Sequence, residues 1–97
     1  MSHLFAPLAL GPLQLSNRIV VAPMCQYSSV DGEANDWHVQ HWGTLSQSGA
    51  GLLLTEPTAV VPEGRIRWAD LGLYDDACEA AFAQALASVR RWSPMPV

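Results

Sequence analysis

The chain has 97 residues, of which 49% are hydrophobic and only 14% are charged, a balance that excludes intrinsic disorder and predicts segments buried on more than one side. The formal net charge is -4, and the five basic residues are arginines scattered along the chain. Nucleic acid is therefore not expected as a partner.

The N-terminal part predicts a hairpin followed by a buried strand. Four leucines alternate with smaller or polar residues on either side of the turn dipeptide Gly11-Pro12; they are Leu8, Leu10, Leu13 and Leu15. The β-branched run 18–22 is then ended by Pro23, which has no N–H for a sheet ladder. We interpret this run as the first core strand. Residues 1–15 are apolar, but they lack a basic segment and are interrupted by prolines. We therefore expect no signal peptide.

A helix and a second strand follow. Residues 28–35 form a polar loop, and Asp36 is placed to cap a helix over about 37–47. One face of this helix carries residues at i, i+3, i+4 and i+7 spacing; they are His38, His41, Trp42 and Leu45. The continuous run 52–55 is typical of a strand covered on both faces, as in a parallel sheet wrapped by helices.

A loop containing proline and glycine leads to a second helix. We expect it to begin at Asp75 or Asp76, with Glu79 placed for a capping box, and to end near Trp92. Its apolar stripe has helical spacing; the residues are Cys78, Phe82, Ala85, Leu86 and Val89. Two successive βα units favour a parallel α/β architecture. Residues 93–97 resemble a connection into a third strand, so we expect the chain to stop inside a domain.

Candidate chemistry lies where the predicted strands end. In an α/β barrel the functional groups sit at the C-terminal strand ends, which here are residues 22–27 and 56–60. A Pro-Met-Cys turn supplies backbone polar groups, a thioether and a thiol, and Tyr27 supplies a phenol. By themselves these residues are more typical of a packed strand end. We interpret His38 and His41 as packing or hydrogen-bonding residues, because no third metal ligand accompanies them.

The two cysteines indicate a reducing cellular compartment. Cys25 and Cys78 lie far apart and have no Cys or His at zinc-like spacing, which predicts neither a disulfide framework nor a structural metal. A cytoplasmic protein fits best. No run approaches the roughly 18 apolar residues of a membrane helix, so no membrane partner is expected. Arg65 and Arg67 are interpreted as solvated loop charges.

Two long segments resemble the opening of old yellow enzymes. They are LFAPLALGPLQLSNRIVVAPMCQYSS at 4–29 and GAGLLLTEPTAVVPEGRI at 49–66, in the right order and at the right separation. The DWHVQH and LGLYDD stretches extend the likeness over essentially the whole chain, and Pro-Met-Cys-x-Tyr is similar to the bacterial xenobiotic reductase subclass. The resemblance implies a TIM (β/α)8 barrel, with residues 1–97 supplying the hairpin and first two βα units of a single FMN-binding domain.

The resemblance also implies site residues. Those that would line FMN are Ala22, Pro23, Met24 and Cys25. The sulfur of Cys25 would tune the redox behaviour of the flavin, and Tyr27 would face the substrate pocket. Relatives also contact FMN with a small Ala or Gly after the second-strand glutamate; here that residue is Pro57, which has no N–H to donate. A plain buried thiol at Cys25 and an ordinary rim residue at Tyr27 are the alternatives.

The implied function is ene reduction. NADPH or NADH passes a hydride to FMN, from which it reaches the β-carbon of an activated alkene such as an enone. The other flavin, phosphate and substrate groups of the family come later than position 97, so no catalytic residue is expected here, and the chain alone should be unstable and inactive. The alternatives are a non-catalytic truncated remnant or a piece that needs a complementary chain, and a dienoyl-reductase-type flavoprotein. The intact protein could form a homo-oligomer.

Overall fold

The structure, a computed structural model, describes residues 2–97 and begins with the predicted hairpin. Strand β1 (Leu8–Leu10) pairs antiparallel with β2 (Leu13–Leu15), and Leu8 lies opposite Leu15. The turn places Gly11 at a φ of +57°, in the left-handed region that favours glycine. Leu15 is the fully buried residue of the hairpin.

The two core strands are parallel neighbours. Strand β3 (Val20–Val21) pairs with β4 (Leu52–Leu53), which confirms the parallel arrangement, although both strands are shorter than the predicted runs. The last rung joins the Leu54 amide to the Val21 carbonyl at 3.2 Å, beyond which the two segments leave the ladder as loops. A Cβ on Gly51 would overlap the Asn17 carbonyl, so glycine permits this close approach.

The chain returns to the sheet after the second helix. The Leu53 amide donates to the Pro96 carbonyl at 3.0 Å, on the edge of β4 that faces away from β3. This hydrogen bond places residues 93–97 where the sequence predicted the approach to a third strand.

Helix α1 (Asp36–Ser46) is capped by Asn35 rather than by Asp36, so the predicted cap was wrong by one position. The Asn35 side chain accepts a hydrogen bond from the Trp37 amide at 2.9 Å. Asparagine caps helices as well as aspartate does, and Asp36 instead lies in the first turn, where its charge complements the helix dipole. His38 completes the cap, because its Nδ1 accepts from the Asn35 amide at 3.0 Å.

Helix α2 (Asp76–Arg90) begins after Asp75, as predicted. The Asp75 carboxylate accepts from the Cys78 amide at 2.7 Å, and this hydrogen bond lowers the pKa of Asp75. The expected capping box with Glu79 was wrong: with the cap at Asp75, the third helical residue is Cys78 and Glu79 lies one position too far along. The predicted stripe is confirmed, since its buried members are Cys78, Ala85 and Val89.

The core lies between the two helices and β4. Its buried residues are Trp42, Ala50, Leu53, Leu71, Ala85, Val89 and Met95. A 3₁₀ turn, Pro62–Gly64, interrupts the loop between β4 and α2, and a bridge between Ala59 and Gly72 closes that loop. Two βα units are therefore present without a closed barrel among residues 2–97. Neither described helix is long and apolar enough to cross a membrane.

Candidate functional site

The segments that follow β3 and β4 lie at the same edge of the sheet, because the two strands are parallel neighbours. Ala22, Pro23 and Met24 are exposed there, and Met24 exposes 68% of its surface. Cys25 is half-buried, and Pro57 is exposed. The amides of Met24 and Cys25 donate to no group within residues 2–97. The sequence-predicted lining residues thus share one edge that offers apolar surface and free backbone donors.

Tyr27 has an unusual backbone conformation at this edge. Its φ is +51°, a left-handed value that is rare for a bulky residue and stores strain. Its side chain is 49% exposed. Hydrogen bonding with the Cys25 side chain raises the pKa of the Tyr27 phenol. The Cys25 charge, desolvation and the Asp70 charge add to this effect, and the Arg67 charge opposes it. The phenol is accessible and, like any tyrosine at neutral pH, can donate a hydrogen bond.

The loop after β3 is attached to the start of α1. The Trp37 indole N–H donates to Gln26 Oε1 at 3.0 Å, and Gln26 Nε2 donates back to the Met24 carbonyl at 3.0 Å. The Asn35 side-chain amide donates to the Ser28 carbonyl at 2.7 Å. Because these bonds begin at the helix cap, the N-terminus of α1 sets the path of the loop that carries Cys25 and Tyr27.

A buried polar cluster lies behind this edge. Trp42 Nε1 donates to Glu56 Oε1 at 3.2 Å. His38 Nε2 lies 3.3 Å from Glu56 Oε2 and 3.4 Å from Ser29 Oγ. His38 is fully buried, and Glu56 is only 5% exposed. The approach of His38 to Oε2 is close but not aligned as a hydrogen bond, so Oε2 has no such partner among residues 2–97.

The tautomer of His38 follows from its neighbours. Because Nδ1 accepts the Asn35 amide, the neutral imidazole carries its proton on Nε2, which faces Ser29 and Glu56. The interpretation of His38 as a hydrogen-bonding residue is confirmed.

Sequence reasoning missed Ser29 and the burial of Glu56. The available signal was a glutamate directly after an apolar strand, since a carboxylate there needs buried donors.

Pro57 is held by the residues on either side of it. Thr58 Oγ1 donates to the Glu56 carbonyl at 2.8 Å, and the Ala59 amide donates to the Leu71 carbonyl at 2.9 Å. Pro57 itself has no N–H. Its position at the edge is therefore set by its flanking residues and not by a hydrogen bond that its own amide could donate.

The loop after Pro57 contains a carboxylate that the sequence reasoning missed. Asp70 is buried, and its Oδ2 accepts from the amides of Ile66 at 2.6 Å and Arg67 at 3.2 Å. Its Oδ1 has no hydrogen-bond partner in the described chain. Arg65 is half-buried, and its guanidinium lies 4.3 Å from the ring centroid of the exposed Trp68. Arg67 is exposed, as expected.

The other singled-out residues have packing roles. His41 stacks on Trp37 with ring centroids 5.9 Å apart. Cys78 is a buried free thiol whose pKa is raised by that burial. Within residues 2–97 no group of three His, Cys, Asp or Glu side chains is arranged to hold a metal ion.

Comparison with known proteins identifies what this arrangement is similar to. The model of the NADH:flavin oxidoreductase / NADH oxidase family matches residues 3–91. Morphinone reductase is 29% identical with a TM-score of 0.84, over 97% of this chain and 25% of that protein. The old yellow enzyme from Trypanosoma cruzi is 27% identical with a TM-score of 0.78, over 92% of this chain and 24% of that protein.

A third solved structure supports the fold alone. The old yellow enzyme homologue NCR from Zymomonas mobilis is 23% identical with a TM-score of 0.81, over 93% of this chain and 25% of that protein. Together these structures confirm the predicted TIM (β/α)8 fold class, of which the chain supplies the hairpin and two βα units. The chain spans about a quarter of the length of the solved proteins it matches.

Proposed function

Because this chain belongs to the NADH:flavin oxidoreductase / NADH oxidase family, we propose that residues 1–97 form the N-terminal part of a single FMN-binding barrel domain. Its proposed activity is the reduction of an activated C=C bond in an α,β-unsaturated carbonyl by NADPH or NADH. The observation that carries the proposal is the parallel pairing of β3 and β4, because residues 22–25 and Tyr27 follow one of these strands and Pro57 follows the other at the same edge of the sheet.

The residues at this edge fit a flavin ring. Pro23 and Met24 present exposed apolar surface against which a planar ring can pack, and no side chain of residues 2–97 covers it. The unused amides of Met24 and Cys25 are donors for polar atoms at the ring edge. Pro57 supplies van der Waals contact only. Bound FMN would supply the hydride chemistry, which side chains cannot perform.

Cys25 and Tyr27 have separate proposed tasks. The half-buried Cys25 sulfur lies beside the ring and adjusts its reduction potential. The Tyr27 phenol donates a hydrogen bond to the substrate carbonyl and draws electron density from the alkene. The exposure of its side chain, 49%, supports this role, because a substrate at the edge can reach the phenol.

The reductant is proposed to be a nicotinamide. A solved structure of morphinone reductase, 28% identical over the whole of this chain, holds tetrahydroNAD. The nicotinamide and the enone would then bind one after the other at the edge where the flavin packs. This order makes two half-reactions that can be measured separately.

The test uses the native polypeptide that carries this sequence, loaded with FMN and kept anaerobic. NADPH or NADH should bleach the flavin absorption, and cyclohexenone should restore it, whereas the saturated ketone cyclohexanone should not. The proposed activity would be contradicted if neither NADPH nor NADH bleached the flavin, or if both ketones reoxidised it equally.

A further inference from the structure

We propose that His38 is a positioning residue for the flavin edge: its imidazole connects the loop after β3 to the residue that precedes Pro57. The proposal rests on the function proposed above. It assigns a task to a buried histidine that touches neither of the proposed lining segments directly but lies next to residues that flank both of them.

The first support is the position of the imidazole between two separate segments. Nε2 lies 3.4 Å from Ser29 Oγ and 3.3 Å from Glu56 Oε2. Ser29 is two residues after Tyr27, and Glu56 is immediately before Pro57. A buried polar group that lost these neighbours would be left without compensation for its lost hydration. The two segments are thus connected in the buried interior as well as by the pairing of β3 with β4.

The second support is that the ring cannot turn freely. Nδ1 accepts the Asn35 amide at 3.0 Å, and the ring packs edge-on against Trp42 with centroids 5.5 Å apart. Trp42 in turn donates to the other oxygen of Glu56. Because the ring orientation is set by the helix cap on one side, Nε2 stays next to Ser29 and Glu56 on the other.

The third support is the chemistry of Pro57. A residue with an N–H could be fixed by its own hydrogen bond, but proline cannot. The placement of Pro57 therefore depends on its neighbours, and one of them is Glu56, whose carboxylate accepts from Trp42 and lies 3.3 Å from His38 Nε2. Movement of that carboxylate moves the adjacent proposed contact to the ring.

Two substitutions separate this role from helix capping. In His38→Asn, the amide oxygen can replace Nδ1 and accept the Asn35 amide, but the side chain is too short to reach Glu56. In His38→Gln, the longer amide reaches the place of Nε2. His41→Asn is the matched control, because His41 lies on the same helix and stacks on Trp37 away from the cluster.

Three measurements are made on the native polypeptide: amide hydrogen exchange without FMN, the FMN dissociation constant, and the thermal midpoint. For His38→Asn we expect faster exchange in 25–29 and 56–60 and FMN binding weaker by roughly tenfold or more. His38→Gln should recover most of the affinity, and His41→Asn should match the wild type. If His38→Asn does not fold, Ser29→Ala removes one anchor and must still raise exchange in 25–29.

Two results overturn the proposal. One is a His38→Asn variant that loses thermal stability but keeps wild-type FMN affinity and exchange, which would make His38 purely structural. The other is a His38→Gln variant that is no better than His38→Asn. If the wild type itself binds no FMN, the proposed function fails instead, and exchange in the FMN-free protein alone then decides whether His38 connects the two segments.

Discussion

Replacement of Trp42 by phenylalanine should destabilise the protein far more than the same replacement at Trp37. Both tryptophans lie on α1 and both donate an indole N–H, but Trp42 is 1% exposed and Trp37 is 46% exposed. Trp42→Phe removes the 3.2 Å hydrogen bond to Glu56 and leaves a buried carboxylate with neither oxygen hydrogen-bonded. Trp37→Phe also removes a hydrogen bond, but water can replace the lost donor to Gln26 because that bond is exposed.

The size of the effect follows from burial. A hydrogen bond to a charged group contributes about 1.5–3 kcal/mol, and the smaller ring adds a cavity cost of roughly 1 kcal/mol. Trp42→Phe should therefore lower the free energy of unfolding by about 2.5–4 kcal/mol. Trp37→Phe, an exposed change, should cost about 0.5 kcal/mol or less.

The assay is urea unfolding of the native polypeptide followed by far-ultraviolet circular dichroism, which does not depend on the altered indoles. A double-mutant cycle with Glu56→Leu isolates the pair, and its coupling free energy should be about 1.5–3 kcal/mol. Equal losses at Trp42 and Trp37, or a coupling below about 0.5 kcal/mol, would refute the reasoning that the Trp42 to Glu56 bond holds the end of β4.

The remaining predictions concern the edge and the second helix. Cys25→Ala should shift the reduction potential of bound flavin and change kcat; unchanged values would reduce Cys25 to packing. Tyr27→Phe should slow reoxidation of the flavin by an enone and spare its reduction by the nicotinamide, whereas equal losses in both half-reactions would indicate a structural role. Asp75 has a lowered pKa in the fold, so its carboxylate stabilises the protein above its unfolded pKa of about 4, and that contribution is lost as the pH falls through the lower folded pKa. Asp75→Asn should therefore make the thermal midpoint less dependent on pH in this acid range, with Asp76→Asn as the control; identical acid profiles for the wild type and Asp75→Asn would contradict this.

The regular elements were predictable because their signals are local. Alternating leucines predicted β1 and β2, and the stripe from Cys78 to Val89 predicted the buried face of α2. Boundaries were less predictable because neighbouring residues compete for the same task. Asn35 and Asp36 can both cap a helix, and the choice of Asn35 depends on His38 reaching back to its amide.

The site was predictable only in part. Residues 22–27 and Pro57 could be placed together, because parallel strands bring their ends to one edge. The cluster behind them could not, since it joins Ser29, His38 and Glu56 across three segments without a spacing rule. Asp70 was hidden for a similar reason: its partners are the backbone amides of a loop whose path the sequence does not specify.

The central claim is that this chain supplies one edge of an FMN site. Amide hydrogen exchange of the native polypeptide, measured with and without saturating FMN, tests it most directly. FMN should slow exchange in peptides that cover 22–29 and 56–60 and leave the hairpin over 8–15 unchanged. Protection confined to segments outside residues 1–97, or equal protection of the hairpin and the two strand ends, would contradict the account.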